Sequence, residues 1–161
     1  MRVVHRRRGD VIAKKATIIA VTNQKGGVGK TTTTANLAAG LVRRGYKVLT
    51  IDADAQANLT AALGYPQPDQ LDVTLSTVLT KLIDEQNIEK RYGILKTEEG
   101  IDLLPCNIEL SAVEVSLVSI MSREMILKEY VDGVKEDYDY IIIDCMPSLG
   151  MITINALSAA D

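Results

Sequence analysis

Residues 25–32 read Lys-Gly-Gly-Val-Gly-Lys-Thr-Thr. Gly26, Gly27 and Gly29 strip side chains from this stretch, so that backbone N–H groups can wrap phosphate oxygens. A helix starting directly after such a loop adds a favourable partial positive charge at its N-terminus. Lys30 is then placed to reach the β- and γ-phosphates of a nucleotide, and the Thr31 hydroxyl to meet magnesium, with Val28 and Thr32 completing the cradle. Against the generic phosphate-loop pattern G-x-x-x-x-G-K-[ST], the first glycine should stand at 24, where this chain has Gln24. A second lysine, Lys25, and paired glycines take its place.

The surrounding pattern supplies the elements such a loop needs. Thr17 to Thr22 is a short apolar, β-branched run, and a helical pattern follows the glycines and ends near Gly45. Lys47 to Asp52 is a second apolar run of the kind buried on both faces of a parallel sheet. A short helix is expected at 59–63, stopped by Gly64, and another over 74–85 on the spacing of Leu75, Val78, Leu79 and Leu82. Tyr92 to Leu95 and Ile101 to Leu104 read as strands flanking Glu99 and Gly100. Asn107 and Ser122 are expected to cap helices through Leu117 and Tyr130. Tyr138 to Asp144 is the clearest strand, and a final helix is expected at 152–160. Strands alternating with helices predict a three-layer, doubly wound α/β fold with a mainly parallel sheet, its ligands at the carboxyl ends of the strands.

Composition narrows the class. The chain has 161 residues, 47% of them hydrophobic, enough for one domain with a real core. No apolar run is long enough for a membrane span, and a cytoplasmic location is expected. Cys106 and Cys145 lack the spacing of a zinc or iron–sulfur site and read as reduced, buried thiols. Arg2, Arg6, Arg7 and Arg8 against Asp10 give the first ten residues a charge of +3, leaving −6 for the rest of a chain whose net charge is −3. Residues 1–15 are expected to be a disordered basic tail, and 16–161 part of a single domain built round the phosphate loop. Arg7 to Asp10 is also what a purine-rich ribosome-binding site would encode, which leaves Val11 open as the true start.

With these residues in place, the chain resembles the ParA-type partition ATPases, which carry a deviant Walker A motif. Three segments carry the resemblance, in the family's order: Thr22 to Ala38 (TNQKGGVGKTTTTANLA), Ile51 to Thr60 (IDADAQANLT) and Ile141 to Asp161 (IIIDCMPSLGMITINALSAAD). It implies an ATP- and Mg2+-dependent ATPase of the P-loop NTPase type that forms an ATP-sandwich homodimer. Lys25 then matches the lysine that reaches the partner's phosphates, complementing charge that spreads over the transferring phosphoryl group. Asp54 matches the first-switch carboxylate that orients the attacking water and touches the magnesium shell, with Asp52 on the strand behind it. Asp144 matches the Walker B aspartate, and Pro147, Ser148 and Gly150 match the second switch. Magnesium is expected between these carboxylates and the triphosphate on charge grounds as well.

Two positions depart from the family pattern. Ala55 and Met146 stand where proline is usual, so switch rigidity is the property at issue. The chain also stops at Asp161, where a further strand is expected, and reads as C-terminally truncated with an open sheet edge. The resemblance further implies a ParB-like activator, and nonspecific DNA bound mainly through the missing C-terminal part, hence nucleoid association of a full-length protein. The alternatives are a non-catalytic fragment and a MinD-like positioning ATPase held to membranes by a C-terminal helix. Cluster-carrying relatives such as the nitrogenase iron protein are disfavoured by the two cysteines.

Overall fold

The computed structural model describes residues 16–161; the readings of the basic tail and of a start at Val11 lie outside the described residues. The chain runs β1 (Thr17–Val21), α1 (Lys30–Arg43), β2 (Val48–Ala53), α2 (Asn58–Ala62), α3 (Leu75–Ile83), β3 (Leu95–Lys96), β4 (Asp102–Leu104), α4 (Leu110–Leu117), α5 (Ile126–Val134), β5 (Tyr140–Cys145) and α6 (Met151–Ala159). Five strands form one sheet in the order β1-β5-β2-β4-β3. The pairs β1·β5, β5·β2 and β2·β4 are parallel, and β3 joins β4 antiparallel at the edge.

Alternation along the strands explains the three layers. Ile142, Val48 and Leu103 face a small core with Ala38 of α1 and Leu59 of α2. Ile141, Ile143, Leu49, Ile51 and Leu104 face a larger core against α3, α4, α5 and α6. Every residue of β2 is buried, as its near-continuous apolar run requires. Because β5 is inserted between β1 and β2, Asp144 stands in register with Val21 on one side and Asp52 on the other. The three segments that carry chemistry therefore meet at one end of the sheet.

Several local expectations are corrected. The strand expected at 92–95 shrinks to Leu95–Lys96, because Arg91 takes a left-handed conformation (φ 69°) and residues 89–94 turn instead. Asn107 caps no helix; its side-chain oxygen accepts from the Thr74 and Ser76 hydroxyls at 3.3 and 3.1 Å, tying α3 to the end of β4. Ser122 makes no cap bond either and turns the chain with φ 53° into a short 3-10 segment before α5. Asp144 is not the end of its strand, since β5 continues to Cys145. At the outer edge of β1, the Asp161 N–H donates to the Ile18 carbonyl at 3.1 Å, and the Ile18 N–H donates to the Asp161 carboxylate at 3.0 Å. That edge is thus partly covered.

Candidate nucleotide-binding site

The loop after β1 is shaped by its glycines. Gly27 and Gly29 have φ of 69° and 85°, the left-handed region where a side chain is strained. A Cβ placed on Gly26, Gly27 or Gly29 would meet nothing within 4 Å, so the loop faces open space. Gly29 is the N-cap of α1 and no side chain caps that helix, which leaves its first N–H groups for a ligand. Asn23 steadies the loop by accepting the Lys25 N–H at 2.9 Å. Lys30 Nζ lies 3.4 Å from the Lys25 carbonyl, folded over the loop.

Beneath the loop, the Thr31 hydroxyl donates to Asp144 Oδ2 at 2.7 Å and the Thr34 hydroxyl to Asp144 Oδ1 at 3.2 Å. A hydroxyl that donates to a carboxylate keeps its lone pairs for a cation. A cavity of about 520 Å3 opens in front, lined by Gly26, Gly27, Gly29, Lys30, Thr31, Thr32, Asp54, Gln56, Asn58 and Pro147. The structure therefore brings together the glycines, Lys30, Thr31, Thr32 and Asp54 of the expected set. Asp144 sits directly behind Thr31. Lys25 and Val28 do not line the cavity; Val28 is 48% exposed.

The loop carrying Asp54 is held by residues to which the sequence reading gave no role or only a passing one. Asp52, fully buried, accepts the Thr60 hydroxyl at 2.7 Å, the Thr60 N–H at 2.8 Å and the Asp54 N–H at 3.3 Å. Asp54 in turn accepts the Gln56 N–H at 3.0 Å, and its carbonyl accepts the Ala57 N–H at 2.8 Å. Hydrogen bonds thus fasten the segment that contains Ala55 in place of proline. After the second-switch segment, Glu114 of α4 accepts the Ile152 N–H at 3.4 Å, at the N-terminus of α6. Its carboxylate occupies the space a Cβ on Gly150 would need. Nothing in the sequence spacing links Glu114 to Gly150. Asn155 is similarly cryptic: buried, it accepts the Leu127 N–H and donates to the Arg123 and Met151 carbonyls, locking α6 to α5.

Burial pushes the Asp52 carboxyl up to about 7, opposed by its bonds from Thr60 and Asp54 and reinforced by the nearby Asp144. Burial also raises Asp144, with the Thr31 and Thr34 hydroxyls opposing. Asp52 and Asp144, buried on adjacent strands, are thus both costly to ionise, and the charge of Lys30 offsets part of that cost at Asp144. Among the described residues, no cluster of three or more His, Cys, Asp or Glu side chains could hold a metal alone. A magnesium ion here would take Thr31 directly and the carboxylates through its water shell, with phosphate oxygens completing the coordination, which is how this small cation is usually held. The donor set fits a magnesium-bound nucleotide.

Comparison with known proteins agrees. The AAA domain family profile matches residues 16–161, and the chain belongs to this family, in its ParA-type branch of P-loop ATPases. It is 48% identical over 146 residues to the sporulation initiation inhibitor protein Soj of Bacillus subtilis, covering 89% of this chain and 55% of the relative. It is 41% identical over 144 residues to the chromosome partitioning protein ParA of Myxococcus xanthus, covering 89% of this chain and 49% of the relative. Among solved structures, cobyrinic acid a,c-diamide synthase from Mycobacterium smegmatis with bound ADP and magnesium superposes with a TM-score of 0.84 at 43% identity, covering 90% of this chain and 57% of that one. A plasmid partition protein from Borrelia burgdorferi gives 0.73 at 33% identity, covering 92% and 63%. The chain thus spans about half the length of the curated relatives it matches.

Proposed function

We propose that this chain is the phosphate-gripping part of an ATP-dependent DNA partition switch, a Mg2+-dependent ATPase that dimerises on ATP. The observation that carries the reading is the 2.7 Å bond from Thr31 to the buried Asp144 beneath three open glycines. Magnesium ATP, when bound, would supply the phosphoryl group, and its metal the positive charge that offsets the two buried carboxylates. Gly26, Gly27, Val28, Gly29 and Thr32 offer backbone N–H groups to the phosphates, and Lys30 neutralises the β- and γ-oxygens. Asp54, on the cavity wall with one oxygen taken by Gln56 N–H, orients the attacking water with the other. Lys25, outside the cavity lining, is left to reach the phosphates of a second copy.

The partition role is supported by the names of the Soj, ParA and plasmid partition relatives. The cobyrinic acid synthase neighbour shares the fold under a different name, so the loop speaks for nucleotide chemistry and the cargo has to be argued separately. The partners proposed are a second copy, a ParB-like activator and nonspecific DNA, with a cytoplasmic, nucleoid-associated setting. Among the described residues, no helix is long and apolar enough to cross a membrane.

Phosphate release from Mg2+·ATP, measured with and without duplex DNA and beside Lys25→Ala, tests this reading. Light scattering of the ATP-bound chain adds the oligomeric state. Turnover and an ATP-dependent dimer, both lost in Lys25→Ala, are expected. A folded chain that stays monomeric with ATP and releases no phosphate would overturn the proposal.

A further inference from the structure

We propose that Thr60 is a positioning residue for the Asp54 carboxylate, fastening the loop between β2 and α2 to the strands that carry Asp52 and Asp144. The inference rests on Asp54 being the carboxylate that orients water and the magnesium shell.

Thr60 uses its hydroxyl in both directions at once. It donates to Asp52 Oδ2 at 2.7 Å and accepts the Cys106 N–H at 3.0 Å, so one side chain bridges the ends of β2 and β4. Its backbone N–H donates to the same Asp52 oxygen at 2.8 Å. The other Asp52 oxygen accepts the Asp54 N–H at 3.3 Å. Thr60, Asp52 and Cys106 are all shielded from solvent at 0% exposure, where a broken bond is not replaced by water.

Both ends of residues 54–60 are therefore held by a single buried carboxylate. Between them the chain turns through Ala57 in a left-handed conformation (φ 51°), leaving little slack. Asp52 pairs in register with Asp144. Thr60 thus holds the far end of the segment whose near end is fixed by the Asp54–Asp52 bond and whose carboxylate is steadied by Gln56 N–H, and so sets where Asp54 stands relative to the Thr31–Asp144 pair. A hydroxyl is required, because a valine of the same shape would leave the Cys106 N–H without an acceptor and Asp52 without its shortest donor.

The test compares the whole chain with Thr60→Val and Thr60→Ser, using Thr60→Ala in place of valine if the valine variant does not fold. In the nucleotide-free chain, amide exchange over residues 54–60 is expected to accelerate about tenfold or more in Thr60→Val, with α1 and β5 unchanged and Thr60→Ser close to wild type. With a fluorescent ATP analogue, Thr60→Val should raise the Mg2+ concentration at half-binding by about tenfold while leaving affinity in EDTA within about twofold. Exchange in Thr60→Val indistinguishable from wild type would overturn the proposal, and so would equal failure of Thr60→Ser. If the wild-type chain binds no nucleotide, the ATPase reading of this chain fails, and the exchange arm alone still decides whether Thr60 holds the loop.

Discussion

Replacing Asp52 by asparagine is expected to stabilise the nucleotide-free chain above neutral pH and to weaken it slightly in acid. Burial holds this carboxyl at about 7, against an ordinary 3.8. A carboxyl raised by folding keeps its proton in the native state where the unfolded chain has already lost it. Its contribution to stability is complete below the unfolded value, falls by about 1.4 kcal/mol per pH unit as pH rises, and is gone once pH passes the folded value. The interval from 3.8 to about 7 corresponds to about 4 kcal/mol. Asparagine carries no such penalty. Its amide oxygen can still accept both bonds from Thr60, but its NH2 would face the Asp54 N–H, which lies 3.3 Å from Asp52 Oδ1. That mismatch costs about 1 kcal/mol. The variant should therefore be about 3 kcal/mol more stable near pH 8 and about 0.5 kcal/mol less stable near pH 4, crossing near pH 4.5. Urea unfolding followed by circular dichroism, with EDTA throughout, measures the difference. Acidic groups far from Asp52 are common to both chains and cancel, while the in-register Asp144 shares in the relief of charge. A difference that does not vary with pH, or a variant weaker than wild type at pH 8, would refute the claim that Asp52 carries an uncompensated buried charge.

Gly150→Ala should expel Glu114 from the N-terminus of α6, because the new Cβ would lie 1.9 Å from a carboxylate oxygen at the flexible end of that side chain. The expected loss is about 1 kcal/mol, matched by Glu114→Ala, and the double variant should be no worse than either alone; full additivity of the two losses would contradict the contact. The Cys106 and Cys145 thiols, both pushed up by burial, Cys145 to about 12, should resist a thiol reagent in the folded chain and react on unfolding. Rapid labelling of either before unfolding would contradict their burial. Asp102, buried at the opposite end of the sheet, accepts from Arg91, Lys96 and the Tyr138 hydroxyl. Burial alone would raise its carboxyl, but these bonds outweigh burial and lower it. Asp102→Ala should cost about 2–4 kcal/mol at neutral pH, mostly through the orphaned Tyr138 hydroxyl and the unpaired Arg91. Wild type should lose this advantage as pH falls below about 4 through the lowered value, and a pH-independent cost would argue against an ionised hub.

The phosphate loop was legible because its chemistry is local: three glycines, two lysines and a threonine act within eight residues of chain, between a strand and a helix that announce themselves by pattern. The alternating layers were legible for the same reason, since Ile141, Ile142 and Ile143 must face opposite cores in turn. What escaped is long-range. Asn107 and Ser122 have the right chemistry for helix caps, yet Asn107 spends its side-chain oxygen on hydroxyls 31 and 33 residues away. Thr60 meets the Cys106 N–H 46 residues on, and Glu114 meets Ile152 at a separation of 38. Such contacts exist only once the elements have assembled around the sheet order β1-β5-β2-β4-β3, which pattern along the chain does not encode.

Calorimetric titration of the folded chain with Mg2+·ADP, beside Lys30→Ala and with EDTA as control, asks whether the loop at 25–32 holds a nucleotide. Saturable binding at one site per chain, weakened about tenfold or more both by Lys30→Ala and by removal of Mg2+, is the predicted result. Absence of heat from a chain shown to be folded, or binding unaffected by Lys30→Ala, would contradict the assignment of residues 25–32, Asp54 and Asp144 to a nucleotide.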